Sequence, residues 1–326
     1  MTPPEDWRPG ASVALLRLRA EMLAATRAFF AERGLLEVET PALSAAASTS
    51  PALQSFQVRD ADGGLAGYLH TSPEFPMKRL LAAGCGSIYQ ICRAFRAGEL
   101  GRWHNPELTL VEWYRVGMDH HALMVEVAEL LVTLLPPERL SRPREVLSYQ
   151  EVFRRALAVD PLQAPLAVLE AAARRAGIVA PAGLGEHRDA WLDLLLSHAV
   201  QPGLGRGGLT FVHGFPGSQA ALARLDPDDP RVAHRFEVFL EGVELANGFH
   251  ELADPAAQRA RFEAELRQRA ESGLPPVPVD QRLLTALEQG GLPECAGVAL
   301  GFDRVVGLAA GATNLDQVMA FSARRA

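Results

Sequence analysis

Residues 108–114, Leu-Thr-Leu-Val-Glu-Trp-Tyr, alternate as a buried strand, and one face of it reads Leu108, Leu110, Glu112 and Tyr114. A carboxylate on an apolar strand face is costly unless a cation pairs it. Residues 88–95 read as the other arm of an antiparallel pair. The connection, Arg96-Ala-Gly-Glu-Leu-Gly-Arg-Trp-His-Asn-Pro-Glu107, is broken by glycines and collects Arg96, Arg102 and His104 beside Glu99 and Glu107. Taken alone, it reads either as a cradle for polyphosphate or as a solvated hairpin tip.

The surrounding chain has 326 residues and a formal charge of −7, which argues against a broad electrostatic footprint for nucleic acid and leaves room only for a local basic groove. Residues 1–7 are neither basic nor apolar, so no signal peptide is expected. The apolar run at 130–135 stops at Pro136-Pro137, far short of the roughly 20 residues of a membrane helix. Cys85, Cys92 and Cys295 form no CxxC pair, which suits reduced thiols, a cytoplasmic location and no structural zinc. His120-His121, with no Cys or acidic ligand close in sequence, reads as the start of a helix capped by Asp119 rather than a metal site.

Leu15, Leu18, Met22, Ala25 and Phe29 predict a helix closed by Gly34, and residues 36–40 a strand ended by Pro41. Helices are expected over 72–83 and from Asp119 to Leu135. A mainly helical insert spans about 140–205, with a capping box at Ser148-Tyr-Gln-Glu151 and a helix from Pro165 closed by Gly177. Strands return at 210–212, 235–240 and 243–246. Asp254-Pro255 opens a long helix that Gly273 ends, and residues 298–301 form a buried strand feeding a helix from Phe302. A helical insert in a mostly antiparallel sheet predicts one α+β domain over 1–326.

Two more stretches carry chemistry. Glu244-Leu245-Ala246-Asn247-Gly248-Phe249-His250-Glu251 brackets an Asn-Gly turn with two carboxylates, a donor set that suits Mg²⁺ near phosphates; a hairpin with surface glutamates is the plainer reading. In Gly297-Val298-Ala299-Leu300-Gly301-Phe302-Asp303-Arg304 the glycines admit a ligand against the strand, and an Asp303–Arg304 pair at a packed corner is the plainer reading.

In order and character, 34–41, 96–114 and 301–304 resemble motifs one, two and three of class II aminoacyl-tRNA synthetases. Thr71-Ser72-Pro73-Glu74, His104-Asn105-Pro106-Glu107 and Glu244-Leu245-Ala246-Asn247-Gly248-Phe249 resemble the lysyl branch. That branch carries an N-terminal OB-fold anticodon domain, for which the residues before the motif-one helix leave no room. The chain therefore resembles the stand-alone elongation factor P–(R)-β-lysine ligase family, as do Trp113-Tyr114-Arg115 and Ala320-Phe-Ser322.

The resemblance implies an antiparallel sheet flanked by helices and a homodimer joined through motif one. ATP and Mg²⁺ would activate (R)-β-lysine as an adenylate, which is then passed to a lysine of elongation factor P, with no tRNA partner. By the same resemblance Arg96 and Arg304 are catalytic. Arg96, Ala97, Gly98, Glu99, His104, Asn105, Leu108, Glu244, Leu245, Gly301 and Arg304 would hold ATP. Ser72, Pro73, Glu74, Glu112, Tyr114, Asn247, Phe249, Glu251 and Ala299 would line the amino-acid pocket, and Glu244 with Glu251 would bind Mg²⁺. Two positions depart from the family. The motif-two Arg-x-Glu becomes Arg96-Ala97-Gly98, so either Glu99 takes over the adenine contact or it is lost, and Leu108 replaces a phenylalanine under the adenine. A ligase acting on tRNA or a small molecule, or an amino-acid-sensing regulatory subunit, are the competing readings; a regulator has no need of the phosphate and metal residues.

Overall fold

The computed structural model describes residues 7–181 and 183–326; residues 1–6, the main part of the stretch read above for a signal peptide, lie outside it. Helix α1 (Val13–Glu32) starts at Ser12, whose hydroxyl accepts from the Leu15 amide, and leads to the edge strand β1 (Leu36–Glu37). The strand expected over 36–40 is only these two residues long, because the chain leaves the sheet after Leu36 and Glu37 pair in parallel with Ile88 and Tyr89. A small sheet that the pattern did not announce follows: β2 (Leu43–Ser44), β3 (Gln57–Arg59) and β4 (Leu65–Leu69), ordered β2-β4-β3. Helix α2 (Glu74–Ala82) then precedes β5 (Ile88–Phe95) and β6 (Glu107–Val116), the predicted antiparallel pair.

Asp119 caps α3 (His120–Leu134) by accepting from the Ala122 amide. The insert is not wholly helical. It begins with β7 (Glu145–Ser148), an edge strand parallel to β8, and continues with α4 (Tyr149–Leu157), α5 (Leu166–Arg175) and α6 (Arg188–Leu195). Both halves of the capping box between Ser148 and Glu151 are formed. After β8 (Thr210–Pro216), β9 (Val232–Leu240) and β10 (Val243–His250) come α7 (Pro255–Glu271), capped by Asp254, and α8 (Gln281–Gln289). Strand β11 (Cys295–Gly301) runs directly into α9 (Phe302–Ala309).

The large sheet has the order β1-β5-β6-β11-β10-β9-β8-β7, antiparallel except for the pairs at its two edges. One face packs Val111, Trp113, Phe236, Val238, Val298 and Leu300 against α1, α3 and α9. Trp113 is fully buried there and donates its indole N–H to Glu126 of α3 at 3.0 Å. Strand alternation sends the intervening side chains to the other face. Among the described residues no helix is long and apolar enough to cross a membrane.

Candidate active site

Register assembles the site. Across the sheet Glu237 stands opposite Asn247, Asn247 opposite Ala299, Ala299 opposite Glu112 and Glu112 opposite Gln90. The next row is Arg235, Phe249, Gly297 and Tyr114. Apart from Gln90, these residues share the face away from the main core and floor a cleft of about 790 Å³. Gly297 is obligatory in that floor, since a Cβ there would stand 2.5 Å from Glu251 Oε1 and also strike the Tyr114 ring.

At one end three carboxylates converge. Glu112 is 2% exposed and accepts from Ser72 Oγ at 2.7 Å and Tyr114 Oη at 2.6 Å. Lys78, one helical turn after Glu74 on α2, places its ammonium 2.6 Å from Glu74 and 2.6 Å from Glu251. Burial, then the charge of Glu74, raises the Glu112 carboxyl to about 7. Burial outweighs Lys78 and raises Glu251 to about 8. One ammonium among three carboxylates leaves up to two negative charges, an excess that adds to burial in raising the two carboxyls. A ligand ammonium would relieve it.

The other end gathers the basic groups. Arg304 donates to the Trp103 carbonyl at 3.1 Å and the Glu244 carbonyl at 2.8 Å, lies 3.3 Å from the Glu244 carboxylate, and meets His104 Nε2 at 2.9 Å. Burial and the Arg304 charge hold His104 below its ordinary value, so this imidazole is neutral near pH 7. Arg96 reaches the Thr71 carbonyl at 3.4 Å and lies 3.8 Å from Glu99, the carboxylate beside the displaced motif-two position. Gly98 has φ +82°, a left-handed turn without strain for glycine alone. Asp303 does not pair with Arg304. It accepts from the Thr109 amide at 2.7 Å and pairs with Arg19 of α1 at 2.7 Å, tying the three motif regions together.

Most of the residues singled out in the sequence line this cleft: Ser72, Glu74, Arg96, Glu99, His104, Asn105, Leu108, Glu112, Tyr114, Glu244, Leu245, Asn247, Phe249, Glu251, Ala299, Gly301 and Arg304. Pro73, Ala97 and Gly98 do not. Pro73 precedes α2, and the Ala97 amide donates to Gln54 at 2.7 Å. The Asn105 side chain is spent on backbone, donating to the Glu107 carbonyl at 2.5 Å and accepting from the Ala323 amide at 2.9 Å. The Leu245 side chain belongs to the core, so it offers the cleft only backbone.

Glu244 and Glu251 are not brought together. Seven residues of extended chain separate them by about 20 Å, and Glu251 is closed onto Lys78. The carboxylate beside Glu244 is Glu237 on the neighbouring strand, raised to about 7 by burial and by the Glu244 charge against the pull of Arg235. Lys78, Arg235 and Glu237 escaped the sequence reading. Glu237 carries the signal used for Glu112, a carboxylate in an otherwise apolar strand, and Lys78 stands four residues after Glu74 on one helix face.

The family model described as "tRNA synthetases class II (D, K and N)" matches residues 6–325. A Vibrio vulnificus protein named elongation factor P–(R)-beta-lysine ligase is 50% identical over 320 residues, covering 97% of this chain and 98% of that protein. Identically named proteins of Klebsiella pneumoniae, 49% identical over 100% of both chains, and Vibrio cholerae, 50% identical over 98% of this chain and 99% of that one, are equally similar.

Proposed function

The chain belongs to the class II tRNA synthetases, within them to the elongation factor P–(R)-β-lysine ligase family, and from that premise we propose that this ligase activates (R)-β-lysine with ATP and transfers it to a lysine side chain of elongation factor P. One observation carries the reading: two buried carboxylates, Glu112 and Glu251, and the half-buried Glu74 gather at one end of the cleft around a single ammonium, Lys78, which pairs with Glu74 and Glu251. That charge excess suits the distal ammonium of a lysine-like substrate, with Ser72 and Tyr114 aiming Glu112. Asn247 and Ala299 line the floor between this end and the phosphates.

With the amine held there, the substrate carboxylate lies toward the basic end. One of its oxygens attacks the α-phosphorus of ATP, the bond to the β-phosphate oxygen breaks, and pyrophosphate leaves. Arg96 and Arg304 supply positive charge where charge develops, so the rate comes from positioning and electrostatics rather than a protein nucleophile. Neutral His104 holds Arg304 extended, and Leu108 packs against the adenine without an aromatic face. In the second step the acceptor amine attacks the adenylate carbonyl, the acyl–phosphate bond breaks, and AMP departs as an amide forms.

Glu244 and its neighbour Glu237 fit a divalent cation, because two carboxylates from adjacent strands face the phosphate end, and the Glu244 charge adds to burial in raising Glu237 against the pull of its partner Arg235. Mg²⁺ held there would neutralise the outer phosphates. The experiment is pyrophosphate exchange with (R)-β-lysine and with α-lysine, followed by the mass of co-incubated elongation factor P. A gain of one lysyl unit that requires ATP is expected. Exchange without modification of the factor would reject the acceptor.

A further inference from the structure

Strand alternation gives β9 and β10 a second set of polar residues. Arg235, Glu237, Asn247 and Phe249 face the cleft, whereas His234 and His250 point to the opposite side of the sheet, towards the start of α3. There His120 closes the group. The rings of His120 and His234 are stacked with centroids 4.5 Å apart, and His250 lies 6.0 Å from His120 and 5.7 Å from His234. Each residue offers one nitrogen, and the three nitrogens lie within 4.8 Å of one another. His120 and His250 are each 4% exposed.

Imidazoles packed ring against ring, with none hydrogen-bonded to another, are a poor use of buried polar groups. The Nδ1 atoms of His120, His234 and His250 are all buried without a hydrogen-bond partner. The Nε2 atoms of two of them are held from behind: His234 by Asp226 at 3.2 Å and His250 by Glu294 at 2.6 Å. A carboxylate on one ring nitrogen sets the tautomer and leaves the other as a lone pair, the arrangement that supports metal-bound histidines. We propose that His120, His234 and His250 bind one first-row transition-metal cation of the imidazole-preferring kind, with Zn²⁺ as the best fit, on the side of the sheet away from the cleft. Asp119, Asp226 and Glu294 supply nearby negative charge. Bonds of 2.0–2.1 Å to a tetrahedral ion bring ligand nitrogens to roughly 3.3 Å, so the ligands draw together by about an ångström when it binds. The fourth position is left to water. Because His234 and His250 directly adjoin Arg235 and Glu251, the ion fastens the strand ends that carry two cleft residues.

The test uses the full chain without a histidine tag, stripped with chelator. Zn²⁺ titration is expected to give one ion per chain and a higher melting temperature, and Co²⁺ a visible absorption of a low-coordinate nitrogen site. His234→Gln and His250→Gln should each weaken Zn²⁺ binding more than tenfold, and Asp226→Asn or Glu294→Gln by roughly 10–100-fold. X-ray absorption of the wild-type Zn²⁺ form, which needs no variant to fold, should show about three imidazole nitrogens at 2.0–2.1 Å. No retained ion, equal binding by the folded histidine variants, or an all-oxygen shell would each overturn the site.

Discussion

At the scale of single residues, Ala299 and Glu112 face each other across β11 and β6, and each makes a prediction. Ala299 puts a methyl on the cleft floor between the ammonium end and the phosphate end. In β-lysine the nearer amine sits one carbon farther from the carboxylate than in α-lysine, so a floor methyl occupies space that an α-substituent needs. Ala299→Gly should therefore raise catalytic efficiency with α-lysine relative to β-lysine by roughly 10-fold or more, within the span one methyl commonly decides. An unmoved ratio in pyrophosphate exchange would shift discrimination to the carboxylates. Glu112 governs pH dependence. Its carboxyl, raised to about 7 by burial and Glu74, is protonated in the empty pocket below that value. Since the folded value lies above the ordinary 4.5, the stability this group lends the empty protein is complete below pH 4.5 and lost as pH rises through 7. A bound ammonium requires the ionised form and reverses the preference. The KM for the amino acid should thus rise about fivefold from pH 7 to pH 6 while kcat changes less, and diamine ligands should raise the melting temperature more at pH 8 than at pH 6. A flat KM between pH 6 and 8 would remove Glu112 from the ammonium site.

At the scale of elements, β10 and β11 decide what the cleft can hold. Gly297→Ala forces a Cβ onto Tyr114 and Glu251, both walls of the ammonium end. The expected result is a folded protein that loses amino-acid-dependent exchange while still binding ATP, as read by nucleotide fluorescence. Loss of both together would mean that the strand itself has moved. Glu244→Gln should weaken the Mg²⁺ dependence of exchange, and Glu237→Gln should do the same. Glu251→Gln should instead raise the KM for the amino acid and leave the Mg²⁺ dependence alone. That contrast marks where the sequence was legible. The β5–β6 pair, the caps at Asp119, Ser148 and Asp254, and Glu112 on an apolar face were readable because alternation and caps are local signals. The partner of Glu244 was not, because the ladder shifts register between Glu244 and Ala246. That bulge lets Glu244 and Glu251 both line the cleft despite their odd spacing, while the extended chain carries them to opposite ends of it. The neighbour that matters comes from β9, a strand pairing no linear motif encodes. His120 was unreadable for the same reason, since His234 and His250 reach it only through the sheet. The three-stranded sheet of β2, β3 and β4 escaped because strands of two to five residues are too short for periodicity to register.

At the scale of the whole molecule, the formal charge of −7 sets expectations for macromolecular partners. Transfer of radiolabelled lysine to bulk tRNA should fall far below transfer to elongation factor P, and comparable rates would refute a protein acceptor. The second expectation concerns self-association. Of the 20 residues of α1 only Met22, Thr26, Phe29 and Phe30 are buried, so an apolar motif-one helix lies half uncovered. Beside it β1 ends the large sheet, with Leu36 and Leu43 exposed. An uncovered edge with apolar neighbours invites pairing with another chain, and motif one is where the family resemblance leads one to expect a partner copy. A two-fold interface brings a residue near its axis close to its own copy, so one substitution acts twice. Leu36→Glu, exposed in the single chain, should cost little in folding because it removes no buried contact, yet it introduces two like charges into the seam. Light scattering should give twice the chain mass for the wild type at micromolar concentration and a shift toward the single-chain mass for Leu36→Glu, with an unchanged melting profile at low concentration. A wild type that stays at the single-chain mass, or a variant that associates as tightly, would move the interface away from motif one. Because Arg19 of α1 pairs with Asp303 next to Arg304, a dimer built on α1 would also brace the phosphate end of the cleft, and its loss should lower the rate of exchange more than the affinity for the amino acid.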